Sequence, residues 1–299
     1  MLIHRRIIVS LYLLIRNKII QPLLGNKISK FQLIRFIDDF LFYSRFGKPR
    51  IVEVQGNKMY LDPKDSLNLS YWGVHEPFET EVIRQIVKKG DMVIDIGAHI
   101  GYYTLILAKL VGEKGKVLAF EPDPCNFSLL KKNVEINDFH NVILEQKAIS
   151  NKTGKIQLFM SEVHSAMHRI YKSSIFKDFH LSIEIEAIRL DDYFNSNERK
   201  IDFIKIDVEG AELSVLQGME SILQKNDQMK LMIEYAPLSF VDFGFKPIKL
   251  LELLRKTGFK LFDVSEREKR IKPTNISKLI ETYSPAPGNI TNLLCLSKL

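Results

Sequence analysis

The chain has 299 residues, of which 45% are hydrophobic and 26% are charged. This ordinary composition excludes wholesale disorder and collagen-like or coiled-coil architectures, and the length suits one folded core with an appended segment. The two cysteines, Cys125 and Cys295, are too few for a disulfide framework or a cysteine zinc site, so we expect a reducing, cytoplasmic location.

The positive charge of the chain is confined to its beginning. The first fifty residues contain ten Lys/Arg and two Asp, a net charge of +8, whereas the other 249 residues carry −1. A nucleic-acid-binding protein would carry positive charge on the face of its folded body, so we expect no nucleic-acid partner.

Residues 1–48 are predicted to form a basic, apolar helical extension. The nearly apolar run at 7–15 is followed by Arg16 and Lys18, and it falls short of the ~20 apolar residues that cross a bilayer. A second apolar stretch covers residues 31–43. Two hypotheses stay open: the helices lie on an anionic membrane surface, or they pack on the rest of the chain.

Residues 49–90 are predicted to form a hairpin followed by a helix. Strand-like residues at 51–54 and 59–61 flank a polar turn that contains a glycine. The helix is expected over 77–89 and ends at Gly90.

From residue 91 to 299, strands and helices alternate. Apolar runs predict strands at 92–96, 117–121, 142–149, 201–208, 231–235, 259–264 and 293–296. Helices are expected at 102–111, 124–136, 212–224 and 247–257. Continuous apolar strands are typical of a sheet covered on both faces, so we predict an α/β fold with a doubly wound, mainly parallel, seven-stranded sheet. The strand-like stretches 155–160 and 183–190 are interpreted as an insertion at its carboxyl edge.

A glycine turn follows the first strand of this sheet. It reads DIGAHIG from Asp95 to Gly101, and His99 stands where the dinucleotide fingerprint G-x-G-x-x-G has its middle glycine. The Asp95 carboxylate would repel a phosphate but favours a ligand with a sulfonium or amino group. The backbone amides of Gly101, Tyr102 and Tyr103 at the helix start would bind the carboxylate of that ligand.

A second carboxylate, Glu121, ends the next strand, and a carboxylate in this place suits a bidentate grip on two ribose hydroxyls. The helix before the sheet adds Glu79, which would cover the methionine end. The two strand ends together predict S-adenosylmethionine as the cofactor. The candidate contacts are Glu79, Asp95, Gly97, Ala98, His99, Gly101, Tyr102, Tyr103, Glu121, Pro122, Asn126 and Ala148.

Several segments in a fixed order resemble one known family. They are VIDIGAHIGYYTL, AFEPDPCNF, KAIS and IDFIKIDVEGAELSVLQG, within about residues 75–265. These segments, and DVEGAE above all, are similar to the FkbM family of class I methyltransferases. Membership implies a Rossmann-like methyltransferase sheet and methyl transfer, usually to a hydroxyl of a sugar, glycan or polyketide-like natural product. The resemblance does not extend to the first fifty residues.

Transfer of a methyl group to an alcohol requires positioning and a proton acceptor. Asp207 at the end of the fourth strand is the first catalytic candidate, followed by Glu209 and by His168 in the insertion, although exposed loop histidines are common. Glu212 is expected to be ordinary charge at a helix start. Asp207 and Glu234, at neighbouring strand ends, could hold a divalent cation, a site we do not favour.

Two other functions stay open. One is a nicotinamide-dependent oxidoreductase or epimerase, which the missing glycine at His99 disfavours. The other is a catalytically silent, membrane-associated binding module. For a methyltransferase we expect a small-molecule or lipid-linked glycan acceptor and peripheral contact with the cytoplasmic face of an anionic membrane. The sequence makes no prediction of the oligomeric state.

Overall fold

The computed structural model describes residues 51–161, 164–176, 178, 181–194 and 200–297. The helical extension predicted at 1–48 lies outside the described residues and stays a prediction. Within the described ranges, no helix is both long enough and apolar enough to span a membrane.

Strands and helices alternate along the described chain, as the apolar runs predicted. The strands are β1 (Ile51–Val54), β2 (Asn57–Tyr60), β3 (Met92–Ile96), β4 (Lys116–Phe120), β5 (Val142–Glu145), β6 (Ala148–Ile149), β7 (Gly154–Met160), β8 (Leu181–Ile188), β9 (Phe203–Ile206), β10 (Lys230–Tyr235), β11 (Lys260–Ser265), β12 (Arg270–Thr274) and β13 (Thr291–Leu296). The α-helices are α1 (Leu69–Trp72), α2 (Pro77–Ile86), α3 (Tyr102–Val111), α4 (Pro124–Ile136), α5 (Leu190–Phe194), α6 (Glu212–Gln217), α7 (Glu220–Lys225), α8 (Pro237–Asp242), α9 (Pro247–Lys256) and α10 (Ile276–Thr282).

The central sheet of the described chain has the strand order β12-β11-β13-β10-β9-β3-β4-β5. The strands from β10 to β5 in this order are mutually parallel, and β13 lies antiparallel between β10 and β11. The predicted doubly wound, mainly parallel sheet is confirmed. An eighth strand, β12, pairs antiparallel with β11 at the edge, where its Pro273 is tolerated.

Alternate residues of the sheet face two separate cores. Ile94 and Ile204 pack with α6, α7 and α9 on one face. Val93 and Phe203 pack with α2 and α3 on the other. Because helices cover both faces, the strands must be apolar on both sides, which explains their continuous apolar runs.

Two predicted elements are interrupted. The strand expected at 142–149 divides into β5 and β6, which belong to different sheets, and Lys147 lies between them on the wall of a pocket. The helix expected at 212–224 divides into α6 and α7 at Gly218. A Cβ atom at Gly218 would lie 2.0 Å from the carbonyl oxygen of Ser150, so this close approach separates the two helices.

The chain reverses its direction of travel across the sheet between β3 and β9. From β3 it proceeds to β4 and β5 on one side, and later from β9 to β10 on the other. In doubly wound sheets, the crevice outside the carboxyl ends of such neighbouring strands is the usual ligand site. The insertion contributes to the same crevice, since Leu158 of β7 lines it.

Candidate active site

A pocket of about 580 Å³ opens at the carboxyl ends of β3, β4 and β9. The residues predicted from the sequence that line it are Gly97, His99, Glu121, Pro122, Asn126, Ala148, His168, Asp207 and Glu209. The structure therefore brings the three catalytic candidates together with half of the cofactor candidates at the reversal point of the sheet.

Gly97 allows the turn after β3 to pass directly against the end of β9. Its φ is +87°, and a Cβ atom there would lie 1.8 Å from the carbonyl oxygen of Asp207. Any other residue would both strain the backbone and push the two strand ends apart. His99, two residues later, also adopts a left-handed conformation with φ of +51°, which is uncommon for a residue with a side chain.

The His99 imidazole is part of the pocket wall. Its Nε2 lies 2.8 Å from Ser165 Oγ, and its buried Nδ1 has no hydrogen-bond partner among the described residues. Burial lowers the pKa of His99 to about 4, so the ring is neutral at physiological pH. A neutral imidazole with one unpartnered nitrogen can bind a polar ligand atom.

The Glu121 carboxylate is held rigidly at the end of β4. Oε1 accepts a 2.9 Å hydrogen bond from the amide of Asp123, and Oε2 accepts a 2.8 Å bond from the amide of His99. Burial raises the pKa of Glu121 to about 8. Each oxygen can make a further hydrogen bond to a ligand hydroxyl, and the proton that this pKa implies at neutral pH lets one of them donate, so the group can contact two hydroxyls at once.

A short segment of the insertion closes over this part of the pocket. Ser165, which begins a single 3₁₀ turn, contacts three elements. Its hydroxyl bonds to His99 and lies 3.1 Å from Ser66 Oγ, and its carbonyl oxygen accepts a 3.0 Å hydrogen bond from Asn126 Nδ2. Asn126 therefore holds this segment as well as lining the pocket.

Other predicted cofactor contacts lie behind the pocket wall. Asp95 is buried, and its carboxylate accepts a 2.6 Å hydrogen bond from Thr104 Oγ1. The amide of Gly101 is already used, because it donates a 2.8 Å hydrogen bond to the carbonyl oxygen of Ala98. The proposed binding of a ligand carboxylate by the Gly101 amide is therefore wrong.

The two tyrosines at the start of α3 are also buried. The Tyr102 hydroxyl lies 3.0 Å from Thr80 Oγ1, and the Tyr103 hydroxyl donates a 3.0 Å hydrogen bond to Glu76. Both side chains join α3 to the residues around the start of α2, and neither lines the cofactor pocket. They support the pocket from behind.

A buried lysine lies beside Asp207, and the sequence analysis missed it. Lys205 is 2% exposed and precedes Asp207 by two residues, so both side chains project from the same face of the strand end. Its Nζ is 2.9 Å from Asp207 Oδ2, 3.8 Å from Glu79 Oε1 and 4.3 Å from the ring centre of Tyr103. A lysine inside an otherwise apolar strand is itself a signal, because a buried charge requires a partner.

This lysine decides the charge of Asp207. Burial raises the pKa of the Asp207 carboxyl, but the Lys205 ammonium lowers it by more, so the net pKa lies below its usual value. Burial and then the Asp207 charge raise the pKa of Glu209 to about 8, and burial likewise raises the pKa of Glu234 well above its usual range. Asp207 is therefore ionised at neutral pH, whereas Glu209 holds its proton.

Glu209 joins the end of β9 to the insertion. Arg169, 1% exposed, donates a 3.4 Å hydrogen bond to Glu209 Oε2, and its other terminal nitrogen is 3.7 Å from Asp242 Oδ2. The Tyr171 hydroxyl donates to the carbonyl oxygen of Glu209 at 3.3 Å. Glu212 Oε1 accepts two backbone amides of the same turn, but the residue is fully buried and its Oε2 has no hydrogen-bond partner among the described residues, so it is not the ordinary surface charge that was expected.

His168 lies on the opposite side of the pocket. Its Nδ1 accepts a 2.9 Å hydrogen bond from the amide of Ser161, and its Nε2 is 4.0 Å from Asp123 Oδ2. Burial lowers the pKa of His168 below its usual value despite the nearby Asp123 carboxylate. The ring is held beside the Asp123 carboxylate rather than beside Asp207.

The candidate metal ligands Asp207 and Glu234 end the neighbouring strands β9 and β10. The Lys205 ammonium occupies the position beside Asp207 that a bound cation would take. Across the described ranges, no group of three or more His, Cys, Asp or Glu residues is arranged to hold a metal ion.

Residues 95–261, just over half of the chain, match the family model described as the methyltransferase FkbM domain. The chain belongs to the FkbM family of methyltransferases. This membership confirms the resemblance noted in the sequence and the methyltransferase prediction with S-adenosylmethionine as cofactor. The matched range contains both strand ends that form the pocket.

The chain is also similar to curated proteins in sequence and to solved structures in fold. Methyltransferase sdnD of Sordaria araneosa is 28% identical over 197 residues, which cover 56% of this chain and 73% of sdnD. Hexuronic acid methyltransferase AglP of Haloferax volcanii is 31% identical over 151 residues, covering 49% of this chain and 58% of AglP. TYW2 of M. jannaschii, solved with AdoMet, has 17% identity and a TM-score of 0.45 over 85% of this chain and 89% of TYW2.

Proposed function

We propose that this FkbM-family protein transfers a methyl group from S-adenosylmethionine to a hydroxyl of a sugar, glycan, glycolipid or related natural product. The observation that carries the proposal is Asp207, an ionised carboxylate held by a buried lysine on the wall of the pocket. It is placed where β9 ends at the reversal point of the sheet.

The residues of the pocket fit the cofactor. We assign the ribose hydroxyls to Glu121, because its two oxygens are fixed by backbone amides and can each make a further hydrogen bond. The unpartnered Nδ1 of His99, a residue of the pocket wall, provides a further polar contact nearby. The bound cofactor supplies an electrophilic methyl group on a sulfonium.

Asp207 is assigned to the acceptor hydroxyl. A carboxylate that is ionised at neutral pH only accepts hydrogen bonds, so it orients the hydroxyl and takes its proton as the methyl group is transferred. Glu209 is poorly suited to this role, because it is protonated below a pKa of about 8 and is joined to Arg169. The distance between His168 and Asp123 ties His168 to the cofactor side instead.

The relative AglP supports a sugar acceptor, since it is a hexuronic acid methyltransferase. The test is to incubate the full chain with S-adenosylmethionine and a panel of glycosides, and to look for O-methyl products by mass spectrometry and NMR. Calorimetry with S-adenosylhomocysteine and NAD runs in parallel. Binding of NAD alone would favour the oxidoreductase, and cofactor binding with no transfer to any acceptor would favour the silent binding module.

We also propose that the basic extension brings the enzyme to an anionic membrane surface. Its support is the charge of +8 within the first fifty residues of an otherwise nearly neutral chain. The full chain should co-sediment with vesicles containing phosphatidylglycerol and should be released by high salt. Equal sedimentation with phosphatidylcholine vesicles, or no loss of binding in an Arg5→Glu/Arg6→Glu variant, would contradict the electrostatic attachment.

A further inference from the structure

A second cavity, a broad groove of about 1670 Å³, lies next to the cofactor pocket on the same edge of the sheet. It runs over the ends of β10 and β11 and the start of β13. Its inner end contains Glu76, Glu234 and Asn292, and its outer end is formed by the β11–β12 turn and α10. The cofactor pocket includes the end of β9 and this groove the end of β10, and these two strands are neighbours in the sheet.

The inner end of the groove is linked to the catalytic carboxylate. Asn292 lines the groove, and its side-chain amide donates a hydrogen bond to Glu79. Glu79 in turn lies 3.8 Å from the Lys205 ammonium, which is 2.9 Å from Asp207. This end also holds Glu234, which follows Ile233 of β10, whereas Asp207 follows Ile206 of β9. Because Ile233 and Ile206 are paired, this end of the groove lies next to the strand end that carries Asp207.

We propose that this groove binds the methyl acceptor, and that the acceptor carries an anionic group, a carboxylate or a phosphate, separate from the hydroxyl that is methylated. The inference rests on the proposed function, because the groove has a catalytic meaning only if Asp207 faces an acceptor.

Most acidic groups of the groove already have partners. The Tyr283 hydroxyl donates to both oxygens of Asp263 at 3.0 Å, and Thr291 donates to Asp263 at 2.7 Å. The Glu266 carboxylate accepts backbone amides at the start of α2 at 3.1 Å. These carboxylates organise the walls of the groove and are not available for a ligand cation.

The inner end suits uncharged hydroxyls. Glu234 makes no side-chain hydrogen bond or ion pair with any described residue, and burial together with the Asp207 charge raises the pKa of its carboxyl well above its usual range, which favours the protonated form. A protonated carboxyl both donates and accepts hydrogen bonds, as a hydroxyl does. Glu76 is already satisfied in part by the Tyr103 hydroxyl at 3.0 Å.

The outer end carries positive charge that the protein does not neutralise. Arg270 forms an ion pair with Glu268, and Lys272 lies 3.6 Å from the same carboxylate. Arg267 and Lys278 also line the groove, and neither makes a side-chain hydrogen bond or ion pair within the described part of the chain. Guanidinium and ammonium groups bind carboxylates and phosphates through charge-assisted hydrogen bonds.

The test compares four matched probes on the full chain in the presence of S-adenosylhomocysteine, so that no turnover occurs. They are the methyl glycosides of glucose, glucuronic acid, glucose 6-phosphate and glucosamine, with binding measured by NMR titration. We expect at least one acidic glycoside to bind about tenfold tighter than methyl glucoside, the size of one charge-assisted contact. Comparing the glycosides of glucuronic acid and glucose 6-phosphate shows whether the groove prefers a carboxylate or a phosphate.

Charge reversal then locates the contact. Arg267→Glu and Lys278→Glu should each abolish most of the preference for the acidic probe. Lys114→Glu, which reverses an exposed lysine near the opposite edge of the sheet, should leave the preference unchanged. Both groove positions are exposed, so these substitutions do not disturb the core.

Equal affinity for the acidic and neutral glycosides, tighter binding of the amino sugar, or no binding of any glycoside would overturn the inference. Loss of the preference in Lys114→Glu would also overturn it, since the effect would then come from overall charge. The proposed function fails separately, when S-adenosylhomocysteine does not bind to the cofactor pocket or no hydroxyl is methylated.

Discussion

The two sides of the active site are built in different ways. On the β3–β4 side, Gly97, His99 and Glu121 come from one strand–turn–helix–strand segment, and their hydrogen bonds join backbone amides to one carboxylate. On the β9–β10 side, Asp207 depends on Lys205, Glu79 and other side chains from separate elements.

This difference has an energetic consequence. The cofactor side uses backbone groups whose positions are fixed by the strands, so most substitutions of neighbouring side chains leave its shape unchanged. The acceptor side is a buried charge network, in which removing one partner leaves another charge unpaired in the interior. We therefore expect mutations on the cofactor side to act mainly on affinity, and mutations on the acceptor side to act mainly on rate.

The largest expected effect tests that separation directly. Asp207→Asn keeps the shape of the side chain but removes its charge, so kcat should fall by ~10²-fold or more while the dissociation constant of S-adenosylmethionine stays nearly unchanged. Steady-state kinetics and calorimetry measure the two quantities. Equal losses in kcat and in the affinity for S-adenosylmethionine would place Asp207 on the cofactor side.

Glu121→Ala should have the complementary effect. It removes the carboxylate that we assign to the ribose hydroxyls and should weaken S-adenosylmethionine binding by roughly 1.5–3 kcal/mol. Asp95→Asn is the matched control, because Asp95 is a buried carboxylate that lies behind the pocket wall and bonds to Thr104. Calorimetry that finds equal losses in the two variants would show that burial of a carboxylate, and not its contact with the ligand, governs the affinity.

Lys205 is expected to act through Asp207, as a positioning residue. Lys205→Met removes the charge that lowers the pKa of Asp207, while burial still raises it, so this pKa should increase. The acidic limb of the kcat–pH profile should then move to higher pH, and kcat at pH 7 should fall by about tenfold. Lys205→Arg keeps the charge and should retain the wild-type limb. Circular dichroism checks folding, and a Met variant that is folded but has an unshifted limb would contradict the coupling.

The smallest effect concerns stability against pH. The pKa of Glu121 is about 8 in the folded protein against 4.5 for the free side chain, so between these values the folded state binds more protons than the unfolded state. The contribution of Glu121 to the free energy of unfolding is fully present below pH 4.5 and is lost as the pH rises through 8. The free energy of unfolding, measured with urea, should decrease less between pH 5.5 and pH 8.5 in Glu121→Gln than in wild type. An identical decrease in both proteins would refute the raised pKa of Glu121.

The sequence indicated the residues at the strand ends on both sides, but not the side chains that surround them, for a physical reason. Glycines and carboxylates that follow consecutive strands must meet at one sheet edge, so Gly97 and Glu121 could be predicted from local patterns alone. The contact between Glu79 and Asn292 joins residues 213 positions apart, and no local pattern indicates it.

Other errors have equally specific causes. The Gly101 amide was expected to be free, but the tight turn uses it internally, as hydrogen bonding of short glycine turns often does. Strand β12 was missed because Arg270–Thr274 is a polar, proline-containing edge strand without an apolar pattern. Lys205 interrupts the apolar run of β9, and that run predicts a strand but does not indicate the charge network around the lysine.

The hydrogen bonds of Ser165 affect the timing of turnover. This residue ties the 3₁₀ turn of the insertion to Ser66, His99 and Asn126 over one side of the cofactor pocket. If each of these neutral hydrogen bonds contributes roughly 1 kcal/mol, they must be broken before the cofactor can be exchanged. Exchange of the demethylated cofactor for S-adenosylmethionine would then be slower by orders of magnitude than in an open cleft. We therefore expect departure of the demethylated cofactor to be the slow step, with a first turnover that is faster than all later ones.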